Sequence, residues 1–186
     1  MNNDIDPAII AGLHQGDVIA YPTEAVYGLG CDPDNQQAVE QLLAIKQRPI
    51  SKGLILIAAD YAQLQPYIND SLLSAVQKSA LSSSWPGPTT WVIPAADHTP
   101  KWLTGRFDTL AVRVSAHPVV RQLCRQFAKP LVSTSANLTN QPAISDIAVL
   151  QQQLGDKVSH IVPGSPNPDL MPSQIIDALS GIVYRS

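Results

Sequence analysis

Short apolar runs alternate unevenly with segments of helical periodicity along this chain, and that pattern predicts an α/β or α+β domain with a mixed sheet. Length agrees: 186 residues, 45% of them apolar, suffice for one buried core. No repeat, low-complexity tract or dividing linker interrupts the chain, so residues 1–186 are expected to form a single domain.

Asp6 is placed to cap a first helix with Pro7 at its first position; Ile9, Ile10 and Leu13 give it an apolar face and Gly16 stops it. Val18–Tyr21 reads as a buried strand. Pro22–Cys31, with Gly28 and Gly30, reads as a loop. Asp34 or Asn35 caps a helix to about Ile45, with Val39, Leu42, Leu43 and Lys46 marking its turns. A cationic loop, Lys46–Gly53, then feeds the strand Leu54–Ala58. Asp60–Ala80 reads as helical, interrupted near Pro66. Trp85–Ile93 is a proline-stiffened loop entering a strand, and Leu110–Val114 alternates as a strand does. His117-Pro118 opens a helix to about Phe127, and Pro130–Asn137 is a strand ending in small polar residues. A helix near Ile147–Leu154 and short strands at His160–Val162, Gln174–Asp177 and Gly181–Arg185 complete the chain.

Composition narrows the function. Net charge is −3, so no global basic field draws in nucleic acid and any anion site must be built locally. Sixteen prolines imply stiff loops that position groups well. Cys31 and Cys124 lie far apart in no metal-type spacing, which fits a reduced compartment. The first residues carry acids where a signal peptide carries bases, and no run approaches the ~20 apolar residues of a membrane span, so the expected location is cytoplasmic.

Common catalytic templates are missing. There is no P-loop, no dinucleotide fingerprint beyond Gly28 and Gly30, and no G-x-S-x-G around Ser133 or Ser135. His14, His98, His117 and His160 are scattered, so no protein-built metal site is expected. What the chain offers instead is hydroxyls and cations at strand ends. Lys46, Arg48 and Lys52 fall within seven residues, and no acid lies between Glu40 and Asp60 to neutralise them. A rigid cationic loop beside a buried strand suits a polyanion such as ATP. Thr23, Tyr27, Thr90, Ser133, Ser135 and Asn137 stand on other loops and strand ends, and Ser173 and Arg185 lie late in the chain. Each hydroxyl could equally satisfy a local turn. Arg113, between Val112 and Val114, must face solvent, a carboxylate or a ligand. Their concentration at strand ends favours a binding cleft.

Five segments, taken in order, resemble the YrdC/TsaC family of threonylcarbamoyl-AMP synthases, in its bacterial single-domain form. They are Tyr21–Gly30, Lys46–Pro49 with Ser51–Leu54, Trp85–Thr90, Ala111–Val114 with His117-Pro118, and Ser133–Asn137, and the likeness runs over about residues 5–185. The resemblance implies a twisted mixed parallel/antiparallel sheet around a large, open, cationic cavity. It implies a nucleotidyltransferase that converts L-threonine, bicarbonate and ATP into threonylcarbamoyl-AMP and pyrophosphate, with Mg2+ held by the phosphates. The product would pass to proteins of the TsaD/TsaB/TsaE type that modify the adenosine beside the anticodon of tRNA. It assigns Lys46 and Arg48 as catalytic, and Lys46, Arg48 and Lys52 to the phosphates. Thr23 and Tyr27 would border the threonine, and Arg113 would take its carboxylate or the phosphates. Thr90, Ser133, Ser135, Asn137, Ser173 and Arg185 would contact nucleotide or threonine.

Two departures from the family pattern stand out. Ser51–Leu54 replaces Asn-Pro-Leu, and Ile57 stands near a family histidine. The late segment lacks the usual glycine run and has Gln174 where threonine is common. Two other classes remain open on the sequence: an RNA-binding module, which the acidic charge and ten aromatic residues disfavour, and a non-catalytic assembly subunit. Removing the Lys46 or Arg48 charge is expected to cut turnover by orders of magnitude and leave folding intact, as steady-state rates and a denaturant titration of each alanine variant would measure.

Overall fold

The computed structural model describes residues 4–138 and 141–185. Helix α1 (Pro7–Gln15) starts as its sequence dictates: the Asp6 carboxylate accepts from the Ala8 N–H, and Gly16 closes the helix in the left-handed region at φ 96°. Strand β1 (Ile19–Pro22) turns directly into β2 (Tyr27–Gly30). The loop expected over Pro22–Cys31 is therefore a hairpin. The Thr23 N–H and hydroxyl both donate to the Val26 carbonyl, at 3.0 and 2.6 Å, and all four β2 residues pair with β1. Its glycines mark close packing, not a turn. A Cβ on Gly30 would stand 2.4 Å from the Val132 carbonyl oxygen and 2.7 Å from the Tyr21 ring.

Helix α2 (Gln36–Lys46) is capped by the Asn35 side chain, which accepts from the Ala38 N–H. A 3-10 turn, Ile50–Lys52, leads to β3 (Ile55–Ala58). The helix expected over Asp60–Ala80 is replaced by 3-10 turns at Gln65–Tyr67 and Asp70–Leu72, with α3 (Ala75–Ser84) after them. Two causes act. Residues 67–69 spend their backbone on the sheet, where Asn69 N–H donates to Pro94 O and Tyr67 O accepts from Ala96 N–H. Ser74 and Gln77 then form a reciprocal capping box that fixes where α3 begins.

The remaining elements are β4 (Thr89–Pro94), the short α4 (Lys101–Thr104), β5 (Thr109–Val114), α5 (Pro118–Phe127), β6 (Leu131–Ser135), α6 (Ile147–Leu154), β7 (His160–Ile161), β8 (Gln174–Asp177) and β9 (Val183–Arg185). The sequence gives no marker for α4. Among the described residues the strands form one sheet in the order β7-β1-β2-β6-β3-β5-β4-β8-β9. The pairs β1/β7, β3/β5 and β4/β8 are parallel and the others antiparallel, so the sheet is mixed, as expected. Strand β6 joins the halves: residues 134–135 pair with β2 and 131–133 with β3.

Alternation sets the two faces. Ile19, Tyr21, Ile57 and Leu131 pack beneath α1 and α5 with Leu13, Leu123 and Phe127. Val18, Ala20, Leu56, Val112 and Val132 point the other way, into a core with Val39 and Leu42 of α2. Because β7 and β8 sit near opposite ends of the strand order, residues 162–173 must cross the sheet to join them. No helix among the described residues is long and apolar enough to cross a membrane.

Gly30→Ala is expected to destabilise the protein by roughly 1–3 kcal/mol, since the added methyl overpacks backbone that cannot give way. Gly155→Ala, where nothing lies within 4 Å of the added carbon, is the control and leaves the urea midpoint unchanged or slightly raised.

Candidate active site

One face of the sheet is left partly uncovered, and it lines an open cavity of about 640 Å³. Residues two apart on the strands contribute, Thr90 and Val92, Thr109, Ala111 and Arg113, Ser133 and Ser135, together with Ile175 of β8 and Ser173 just before it. The β1–β2 turn adds Thr23, Glu24 and Tyr27, and the loop after α2 adds Arg48 and Lys52. Phe107, Met171 and Tyr184 also line it. Arg48, Lys52, Arg113 and Arg185 set four cations against a single carboxylate, Glu24. The cavity is cationic in an acidic protein.

Most of the sequence-assigned residues are gathered here. The exceptions are Lys46 and Asn137, which do not line the cavity. Lys46 is buried on the inner face of α2. Its ammonium donates to Ser135 O (2.6 Å), Asn137 O (2.5 Å) and Asn137 Oδ1 (2.7 Å). The Ser135 hydroxyl donates to the same Oδ1 at 2.6 Å. Lys46 thus fastens the end of β6 to the last turn of α2. Burial, and secondarily the Arg48 charge, draw its pKa down to about 8, which still leaves it charged at pH 7.

Arg48 is half-buried and donates to Gly53 O at 2.9 Å, closing the cationic loop on itself. The loop is also held from outside. Leu54 N–H donates to Leu103 O and Arg106 N–H to Ser51 O. Gly105, at φ 64°, lets the backbones meet: a Cβ there would lie 2.6 Å from Gly53 N and Ser51 O. Lys52 is exposed at the rim.

Across the cavity, Thr90 and Ser173 share a buried hydroxyl–hydroxyl bond of 3.0 Å. Arg185 donates to Ser173 O through Nε (3.0 Å) and an NH2 group (2.7 Å) and to the Ser173 hydroxyl at 3.0 Å. Burial first, and then the Arg113 charge, lower the Arg185 pKa. The hydroxyls of Thr23 and Tyr27, both lining the cavity, donate to Val26 O and Gly164 O. Ile57 is buried under α5 and does not line the cavity.

Glu24 and Ser115 are not marked by the sequence. Glu24 Oε2 accepts from Arg113 at 3.1 Å, and Oε1 accepts from the Ser115 hydroxyl (2.8 Å) and the Ala116 N–H (3.1 Å). Burial would raise its pKa, but Arg113 and these donors outweigh it and hold the carboxyl below its ordinary value. Glu24 lies inside the Tyr21–Gly30 segment, where the sequence drew attention to Thr23 and Tyr27.

A family model for Sua5/YciO/YrdC chains, described as telomere recombination, matches residues 11–186. A chain from Pseudoalteromonas translucida named threonylcarbamoyl-AMP synthase is 56% identical over 178 residues, which is 96% of this chain and 95% of its own. Another of that name, from Yersinia pestis, is 56% identical over 184 residues, 99% and 96% of the two chains. P. abyssi Sua5 complexed with L-threonine superposes with a TM-score of 0.85 at 29% identity, over 91% of this chain and 49% of that one. E. coli YciO gives 0.84 at 25% identity, over 96% and 87%. This chain therefore spans about half the length of the Sua5 chain.

The geometry separates Lys46 from Arg48 and revises the expectation that both variants fold normally. Lys46→Ala strands three acceptors and is expected to cost roughly 2–4 kcal/mol of stability in a urea titration, against about 1 kcal/mol for Arg48→Ala, which gives up one bond to Gly53.

Proposed function

The chain belongs to the Sua5/YciO/YrdC family, and we propose that it is a threonylcarbamoyl-AMP synthase, a nucleotidyltransferase acting on L-threonine, bicarbonate and ATP as one catalytic domain over residues 1–186. The carrying observation is the open cavity with four cations around one face of small hydroxyls. Identity of 56% across nearly the whole chain to proteins of that name supports the substrate set.

The threonine amine adds to bicarbonate and water leaves, giving an N-carboxylate. One of its oxygens attacks the α-phosphorus of ATP, the bond from that phosphorus to the bridging oxygen breaks, and pyrophosphate departs with the electron pair. This chemistry needs positioning and charge neutralisation, not a protein nucleophile. In this reading Arg48 and Lys52 hold the phosphates as charge moves onto pyrophosphate. Lys46 adds its charge from beneath the wall and fixes the Ser135–Asn137 turn. Thr23 and Tyr27 border the threonine, and Arg113 binds its carboxylate or the phosphates. Thr90, Ser133, Ser135, Asn137, Ser173 and Arg185 shape the rest of the nucleotide and threonine site.

Magnesium enters with the substrate, on the phosphates and water. Among the described residues no group of three Asp, Glu, His or Cys could hold a metal, and the one cavity carboxylate is already bonded. The reading places the protein in the cytoplasm, ahead of the proteins that transfer the threonylcarbamoyl group to tRNA.

Pyrophosphate release is the test. It is expected to require ATP, bicarbonate and L-threonine together; release without threonine, or none at all, overturns the assignment. Arg48→Ala is expected to lower kcat/KM by about 100-fold or more, as loss of a single charge-stabilising donor does elsewhere.

A further inference from the structure

A carboxylate in a cavity built for anions works against binding by its charge alone. Glu24 nevertheless stands there, about one-tenth exposed, and is fixed on three sides by Arg113, the Ser115 hydroxyl and the Ala116 N–H. Ser115 is itself fully buried and fixed in turn, accepting from the His117 N–H at 3.0 Å. The Glu24 carbonyl accepts from Asn167 N–H at 2.9 Å, which pins the segment that crosses the sheet. A carboxylate so immobilised can orient what it holds.

It holds Arg113. An arginine has a long stem and five N–H donors in a rigid fork. Here one terminal nitrogen meets Glu24, and Nε is buried with no partner among the described residues. Glu24 thus holds the buried guanidinium at one end and leaves it donors beyond the one that Glu24 occupies. We propose that Glu24 is a positioning residue: its carboxylate, locked by Ser115 and Ala116, sets the Arg113 guanidinium so that its remaining donors meet the carboxylate or phosphate oxygens of the substrate. This rests on the synthase reading for the identity of the substrate. The positioning itself requires only an anionic ligand in the cavity.

The test is a double-mutant cycle on the full chain: parent, Glu24→Gln, Arg113→Ala and the double variant. Each is measured for kcat and KM in pyrophosphate release and, by calorimetry, for binding of ATP and of L-threonine. Positioning predicts that Glu24→Gln lowers kcat/KM, or the affinity of one of the two ligands, by about 10-fold or more. In the Arg113→Ala background the same change has less than about a 3-fold effect, because nothing remains to orient. A Glu24→Gln protein within about 3-fold of the parent, or an equal loss in both backgrounds, overturns the proposal. Ser115→Ala keeps the charge and loosens its hold, so it is expected to move the same parameter in the same direction; it decides the matter if Glu24→Gln does not fold. If the parent binds ATP or threonine but never releases pyrophosphate, the synthase reading falls and the binding cycle still judges Glu24. Binding of neither ligand overturns both.

Discussion

Strand β6 carries the constraint on which the rest depends. It pairs with β2 through residues 134–135 and with β3 through 131–133, so one five-residue strand joins two half-sheets. Its Ser133 and Ser135 line the cavity on one face of that junction. Directly beyond it, Ser135 and Asn137 are tied to Lys46 at the end of α2. One buried ammonium thus fixes the seam of the sheet, the small-polar end of β6 and the start of the cationic loop. Loss of that tie would be felt by the fold and the site together.

Local charge runs against global charge in this protein. The protein carries a net −3, yet its cavity gathers four cations. Like charges so close repel one another: burial first, and then the Arg113 charge, lower the Arg185 pKa. The scaffold offsets the repulsion with fixed acceptors: Gly53 O for Arg48, Ser173 O for Arg185, Glu24 for Arg113. Each acceptor also aims its cation. A polyanion entering the cavity meets donors whose reorganisation was completed during folding.

Much of this was legible in the residues. Caps and apolar periods located α1, α2 and α5, because Asp6, Asn35 and His117-Pro118 act within a turn of where they stand. The β2 strand was hidden because its glycines answer to Val132 and Tyr21, which only the folded sheet brings near. The turns of residues 65–72 were hidden for the same reason, since Pro94 and Ala96 claim their backbone. In the site, cations and hydroxyls at strand ends could be seen, and the alternation of Leu110–Val114 set Arg113 apart from Val112 and Val114. Lys46 shared the helical spacing of Val39, Leu42 and Leu43, which is the signature of the buried face it occupies. Glu24 escaped notice because its partner lies 89 residues away.

The crossing of residues 162–173 has a consequence for synthesis. Strands β7, β8 and β9, all within residues 160–185, close both ends of the sheet. Until they have been made, β1 and β4 are bare edges with unpaired N–H and C=O groups. A nascent chain stalled near residue 155 would present two sticky edges at once, and neighbouring chains on a polysome could pair with either. Completion of the last sixth of the chain thus covers both edges together.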